Sequence, residues 1–152
     1  MNIAVLGSGG REHALCYKLK LSKKLDKLIC IPGNAGTQNI AININVDLKN
    51  FDNIYQILTK EKIDIVIVGP EQPLVDGIVD YLEQKKIRVF GPNKFASQLE
   101  GSKGFMKNLC KKFKVPTASF GIFNDFDKAK NFINLSNMPI VVKADGLAAG
   151  KG

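Results

Sequence analysis

Apolar runs of strand length alternate with stretches of helical periodicity along this chain. Asn2–Leu6 is a short apolar strand, and Arg11 to Lys20 reads as an amphipathic helix with Ala14, Leu15 and Leu19 on one face. Lys27–Ile31 predicts a second strand, broken by Pro32-Gly33-Asn34-Ala35-Gly36-Thr37. Phe51–Lys60 predicts a helix with Ile54, Ile57 and Leu58 inward, and Asn50 or Asp52 can cap it. Ile63–Val68 is the clearest buried strand, Val75–Lys85 a further helix, and Ile87–Phe90 a short strand ended by Gly91-Pro92. Strands and helices in strict alternation predict an α/β fold with a parallel sheet and right-handed crossovers.

The rhythm changes near Asn93–Ser102, where a domain boundary is expected. Beyond it the pattern predicts a helix over Ser102–Phe113, a strand over Ala118–Phe123, a helix over Asp125–Leu135 and a last strand over Pro139–Lys143. The second helix has an acidic start, with Ala129, Phe132 and Ile133 at helical spacing. This second unit reads as incomplete.

Composition narrows the class. Hydrophobic content of 45% and charged content of 24% are ordinary for a globular protein. No apolar run approaches the roughly 20 residues that span a bilayer. Cys16, Cys30 and Cys110 are odd in number and widely spaced, which points to a reducing, cytoplasmic setting and no metal finger. The net charge of +8 is almost all lysine, with arginine only at Arg11 and Arg88. No aromatics interleave with the basic residues, so the charge reads as a solvated surface or an attraction for small anions, not as a nucleic-acid platform.

Three loops carry the candidate chemistry. Gly7-Ser8-Gly9-Gly10 lies between a strand and a helix, where backbone N–H groups favour an anion. A dinucleotide fingerprint needs glycine at the third position, but Glu12 stands there, and no acid for a ribose ends the second strand. A phosphate monoester suits the loop better than NAD; a tight turn without ligand is the bland alternative. His13, the only histidine, reads as a packing or capping residue. The Pro32–Thr37 and Gly69–Gly77 loops leave the carboxyl ends of predicted strands, the edge where open α/β sheets bind ligands. Glu71 and Asp76 there suit hydroxyls or an amine.

The third loop, Gly146-Leu147-Ala148-Ala149-Gly150-Lys151-Gly152, departs from a P-loop. It has three residues between its glycines where four are needed, and glycine follows Lys151 in place of a hydroxyl. A flap over phosphates fits better, with Lys143 and Lys103 as point charges.

Together the motifs resemble the phosphoribosylamine–glycine ligase (glycinamide ribonucleotide synthetase) family of the ATP-grasp superfamily. The resemblance rests on Val5–Leu15 (containing Gly-Ser-Gly-Gly-Arg-Glu-His-Ala), Pro32–Thr37, Gly69–Gly77, Phe90-Gly91-Pro92, Leu99-Glu100-Gly101-Ser102-Lys103 and Lys143–Gly152, in family order. It implies a Rossmann-like substrate-binding domain over residues 1–101 and the beginning of an ATP-grasp domain over residues 102–152. It further implies an ADP-forming ligase of purine biosynthesis that joins glycine to 5-phosphoribosylamine through glycyl phosphate. Carried over, Gly9, Gly10, Arg11, Glu12, Asn34, Gly36 and Thr37 would lie by the phosphoribosyl substrate, with Glu71 and Asp76 helping to seat it. Lys103, Lys143, Asp145, Gly146, Gly150, Lys151 and Gly152 would serve ATP.

Family members are longer, and the resemblance puts the Mg²⁺ or Mn²⁺ ligands and the adenine pocket downstream of Gly152. The expected partners are therefore the small-molecule substrates and the remainder of the ligase chain, with no nucleic acid and no membrane. The 152-residue piece is expected to be inactive alone. Two alternatives stand beside this reading: another ATP-grasp ligase or carboxylase, and a non-catalytic module binding a sugar phosphate or nucleotide.

Overall fold

A computed structural model describes residues 1–148 of the chain. The chain divides into two compact units, Met1–Ser97 and Gln98–Gly152. Among the described residues, no helix is long and apolar enough to cross a membrane.

The first unit is built on five parallel strands: β1 (Asn2–Gly7), β2 (Lys27–Pro32), β3 (Ile42–Asn43), β4 (Ile65–Val68) and β5 (Val89–Phe90). Their order across the sheet is β3-β2-β1-β4-β5. β1 is central, with Leu6 opposite Ile31 on one side and Val68 on the other. Both faces of these strands are covered, which explains the unbroken apolar runs in the sequence. The pleat sends alternate residues to opposite layers. Ala4, Leu6, Ile29, Ile31, Val66 and Val68 join a core with Ile54 and Leu58 of α2 (Phe51–Lys60) and with Leu74, Ile78, Val79 and Leu82. Ile3, Val5, Leu28 and Cys30 join the other core with Cys16 of α1 (Gly10–Lys20).

The face of α1 differs from its expected composition. Glu12 and Cys16 are buried, Leu15 and Leu19 half-buried, and Ala14 is exposed. Positions 12, 15, 16 and 19 form one helical stripe, but a carboxylate disguises it in a hydrophobicity reading. The helix expected over Val75–Lys85 is two helices, α3 (Glu71–Asp76) and α4 (Ile78–Gln84). Gly77 between them has φ +99°, which ends the right-handed course of the first. Asn50 is the cap of α2, accepting from Asn53 N at 3.0 Å.

Three helix ends share one device. Lys62, Lys86 and Lys114 have φ of 53°, 61° and 55°. In each case the next residue's N–H reaches back to the third-last helical carbonyl: Ile63 to Leu58, Ile87 to Leu82 and Val115 to Cys110. These are Schellman turns with lysine where glycine is usual.

α5 (Lys94–Gly101) runs across the division between the units. The second unit contains α6 (Lys103–Lys112) and α7 (Phe126–Asn134), capped by Ser102 and Asp125 respectively. The strands expected over Ala118–Phe123 and Pro139–Lys143 do not form. A strand exists through its ladder, and neither run pairs with a neighbour among the described residues. Val141 and Val142 are 75% and 74% exposed.

Candidate functional site

In the first unit the strand order reverses between β1 and β4, and the loops leaving β1, β2 and β4 meet there. Such a switch point is the ligand crevice of open α/β sheets. Arg11, in the first turn of α1, bridges to the loop after β4 and to the start of α3. Its Nη2 donates to Glu71 Oε1 at 2.8 Å, and its Nη1 donates to the Gly69 carbonyl. This guanidinium holds the Glu71 carboxyl below the ordinary glutamate range.

Asn34, in the loop after β2, reaches the glycine loop. Its Nδ2 donates to Ser8 O at 2.9 Å and Gly9 O at 3.3 Å. The loop holding Asn34 is fixed by Thr37, whose side chain is fully buried. Thr37 Oγ1 accepts from Asn34 N at 2.7 Å and contacts Asn43 Oδ1 at 2.8 Å, while Asn43 Nδ2 donates to Asn34 O at 2.8 Å. A Cβ at Gly36 would lie 3.2 Å from the His13 ring, so that histidine packs beside the same loop.

Gly9, Gly10, Arg11, Asn34, Gly36, Thr37 and Glu71 are thus brought together around one rim. Glu12 is among them but buried, accepting from Gly9 N at 2.6 Å. Asp76, in the last turn of α3, instead accepts from Gln72 Nε2 at 2.9 Å.

In the second unit, the start of α6 gathers the segment after the expected last strand. Asp145 accepts from Ser102 Oγ at 2.9 Å and Gly104 N at 3.2 Å, which holds its carboxyl below the ordinary aspartate range. Lys103 Nζ donates to Gly146 O at 2.6 Å, and Gly146 has φ +94°. Lys143 is exposed. Gly150, Lys151 and Gly152 lie outside the described residues.

Asn43, Gly69 and Ser102 carry contacts in these networks that sequence reasoning did not assign. Asn43 sits in an ordinary Asn/Ile alternation and gave no signal. Ser102 opens the expected Ser102–Phe113 helix and precedes Lys103; a serine at a helix start is a capping type, a signal that could have revealed it.

The first unit is therefore a doubly wound α/β domain with a polar, glycine-lined rim at its switch point. Residues 1–100 match the family model "Phosphoribosylglycinamide synthetase, N domain", and residues 101–152 match that of its ATP-grasp (A) domain. The chain belongs to the phosphoribosylglycinamide synthetase family. It is 51% identical over 152 residues to phosphoribosylamine–glycine ligase of Mesorhizobium japonicum and 49% identical to that of Brucella melitensis. Each comparison covers 100% of this chain and 36% of the relative. The crystal structure of the Thermotoga maritima phosphoribosylamine–glycine ligase superposes with a TM-score of 0.77 at 30% identity, covering 100% of this chain and 35% of that one. The chain thus spans little more than a third of the length of these relatives.

Proposed function

We propose that the protein carrying this chain joins glycine to 5-phosphoribosylamine, with ATP converted to ADP and phosphate. In this reading residues 1–101 bind the phosphoribosyl substrate and residues 102–152 begin the ATP-binding domain. A glycine carboxylate oxygen attacks the γ-phosphorus of ATP, and ADP leaves. The amine nitrogen of phosphoribosylamine attacks the carbonyl carbon of glycyl phosphate. Phosphate leaves, the nitrogen loses a proton, and the amide of glycinamide ribonucleotide remains. Positioning and charge neutralisation supply most of the catalysis in such transfers.

The observation that carries the reading is the convergence of the glycine loop, Arg11, Asn34 and Glu71 at the carboxyl ends of β1, β2 and β4. The Arg11 cation in the first turn of α1, at the outer rim, suits a phosphate monoester. Glu71 suits a hydroxyl or amine beside it. Lys103 and Lys143 are proposed to meet the phosphates of ATP. A divalent cation would neutralise those phosphates. Among the described residues no three His, Cys, Asp or Glu side chains cluster to hold one, so its ligands are proposed to lie in the rest of the longer protein.

The test is phosphate release by the full-length protein, dependent on glycine, ATP and phosphoribosylamine, with the amide product identified by mass spectrometry. Lys103→Met should raise KM for ATP at least about tenfold, the scale of one lost charged contact. It should leave KM for phosphoribosylamine within about twofold. Absence of the amide product from the folded full-length protein refutes the assignment.

A further inference from the structure

Glu12 occupies an unusual place for a carboxylate. It is 4% exposed, whereas Arg11 and His13 beside it are exposed. A buried carboxylate is costly without partners, so its surroundings should be built for it. They include glycine backbone from two loops. Oε2 accepts from Gly9 N at 2.6 Å. A Cβ at Gly7 would lie 2.6 Å from Glu12 Cδ, and a Cβ at Gly69 would lie 2.0 Å from Oε1. The side chain fills the space between the ends of β1 and β4, the position of the strand-order reversal.

In a dinucleotide-binding loop this space has another use. The second glycine lets the pyrophosphate approach the backbone, the third lets helix and strand pack closely, and the helix N-terminus offers its N–H groups to the anion. Here the third position is Glu12, the Gly9 N–H is taken by its carboxylate, and a negative charge already sits at the start of α1. We infer that Glu12 is a specificity-determining residue: its carboxylate, cradled by Gly7, Gly9 and Gly69, closes the glycine loop to dinucleotides and other pyrophosphates. It acts by volume and by charge. Ligand anions are confined to the outer rim near Arg11 and Asn34. The inference does not depend on the ligase reading, because it concerns what the loop rejects.

The test uses the full-length protein with saturating ATP present to fill any nucleotide site elsewhere. Glu12→Gln keeps the volume and removes the charge; Glu12→Gly removes both and restores the glycine fingerprint. The probes are NADH, followed by fluorescence, and inorganic pyrophosphate, followed by calorimetry. Wild type should show no NADH binding at the loop and only weak, measurable pyrophosphate binding. Glu12→Gln should bind pyrophosphate about five- to tenfold more tightly than wild type, the scale of a charge at a helix N-terminus. Glu12→Gly should also gain NADH binding. Should Glu12→Gly fail to fold, as judged by circular dichroism, Glu12→Gln decides the question. Unchanged pyrophosphate affinity in folded Glu12→Gln overturns the charge block. A folded Glu12→Gly that gains no NADH binding overturns the volume block.

Discussion

Replacing Gly69 by alanine puts a methyl group into the space held by Glu12. The added Cβ would stand 2.0 Å from Oε1, 2.6 Å from Cδ and 2.7 Å from Cγ. Gly69 is anchored by its own N–H to Leu6 O at 3.1 Å, and Glu12 is anchored at 2.6 Å by Gly9 N. One of two things must give. If the carboxylate leaves, a charge-assisted hydrogen bond worth about 1.5–3 kcal/mol is lost. If the two loops part, overpacking costs about 1–3 kcal/mol. The backbone of Gly69 lies outside the left-handed region, so alanine regains about 0.4–1 kcal/mol by restricting the unfolded chain.

The net expectation is a loss of about 0.5–2.5 kcal/mol, read by urea unfolding followed by far-UV circular dichroism. Gly10→Ala is the control, since nothing lies within 4 Å of its added Cβ. It should be neutral or stabilising by up to about 1 kcal/mol. In the double variant Glu12→Ala/Gly69→Ala the clash is gone, and the two losses should fall short of additivity by about 1 kcal/mol or more. Equal effects of Gly69→Ala and Gly10→Ala, or simple additivity in the double variant, would refute the cradle.

Further outcomes follow from the same geometry. Lys86→Gly relieves a left-handed φ of 61° and should stabilise the first unit by about 0.5–1 kcal/mol, seen as a raised thermal midpoint; a lowered midpoint contradicts the Schellman assignment. Thr37→Val deprives Asn34 N and Asn43 Oδ1 of their partner at a fully buried position, and should cost about 1–3 kcal/mol with faster amide exchange at Asn34. Unchanged exchange there would dissociate Thr37 from the rim. The depressed Glu71 carboxyl contributes stability that is present above the ordinary value of 4.5 and lost as pH falls through its lowered folded value. Because the pair is substantially exposed, Glu71→Gln should cost under about 1 kcal/mol at neutral pH, and the difference should vanish in acid. A difference that persists unchanged at low pH rules out the ion pair as its source.

The apolar runs of β1, β2 and β4 were legible because strands buried on both faces need no alternation. The helix ends were less so. Lys62, Lys86 and Lys114 take a conformation that sequence reasoning assigns to glycine, and nothing in their chemistry announces it. Gly77 falls both at the end of the expected Gly69–Gly77 loop and inside the expected Val75–Lys85 helix, yet it divides two helices. The β-branched residues of Pro139–Lys143 have strand propensity, but a strand also needs a neighbour, and propensity carries no information about one. At the rim, the glycine loop stands out in the sequence as suited to an anion, whereas Arg11 and Asn34 enter only through the family resemblance. The inward turn of Glu12 does not stand out, because a charged residue two positions into a helix is ordinarily a surface feature.

The two ends of the sheet, β3 and β5, contain two residues each. An edge strand presents unpaired N–H and C=O groups that another chain can extend. A pair of residues offers too few such groups to template that addition, although Ile42 and Phe90 on these edges are 57% and 69% exposed. The long, apolar, aggregation-prone strands are all interior. The first unit therefore resists edge-to-edge association by the brevity of its outermost strands.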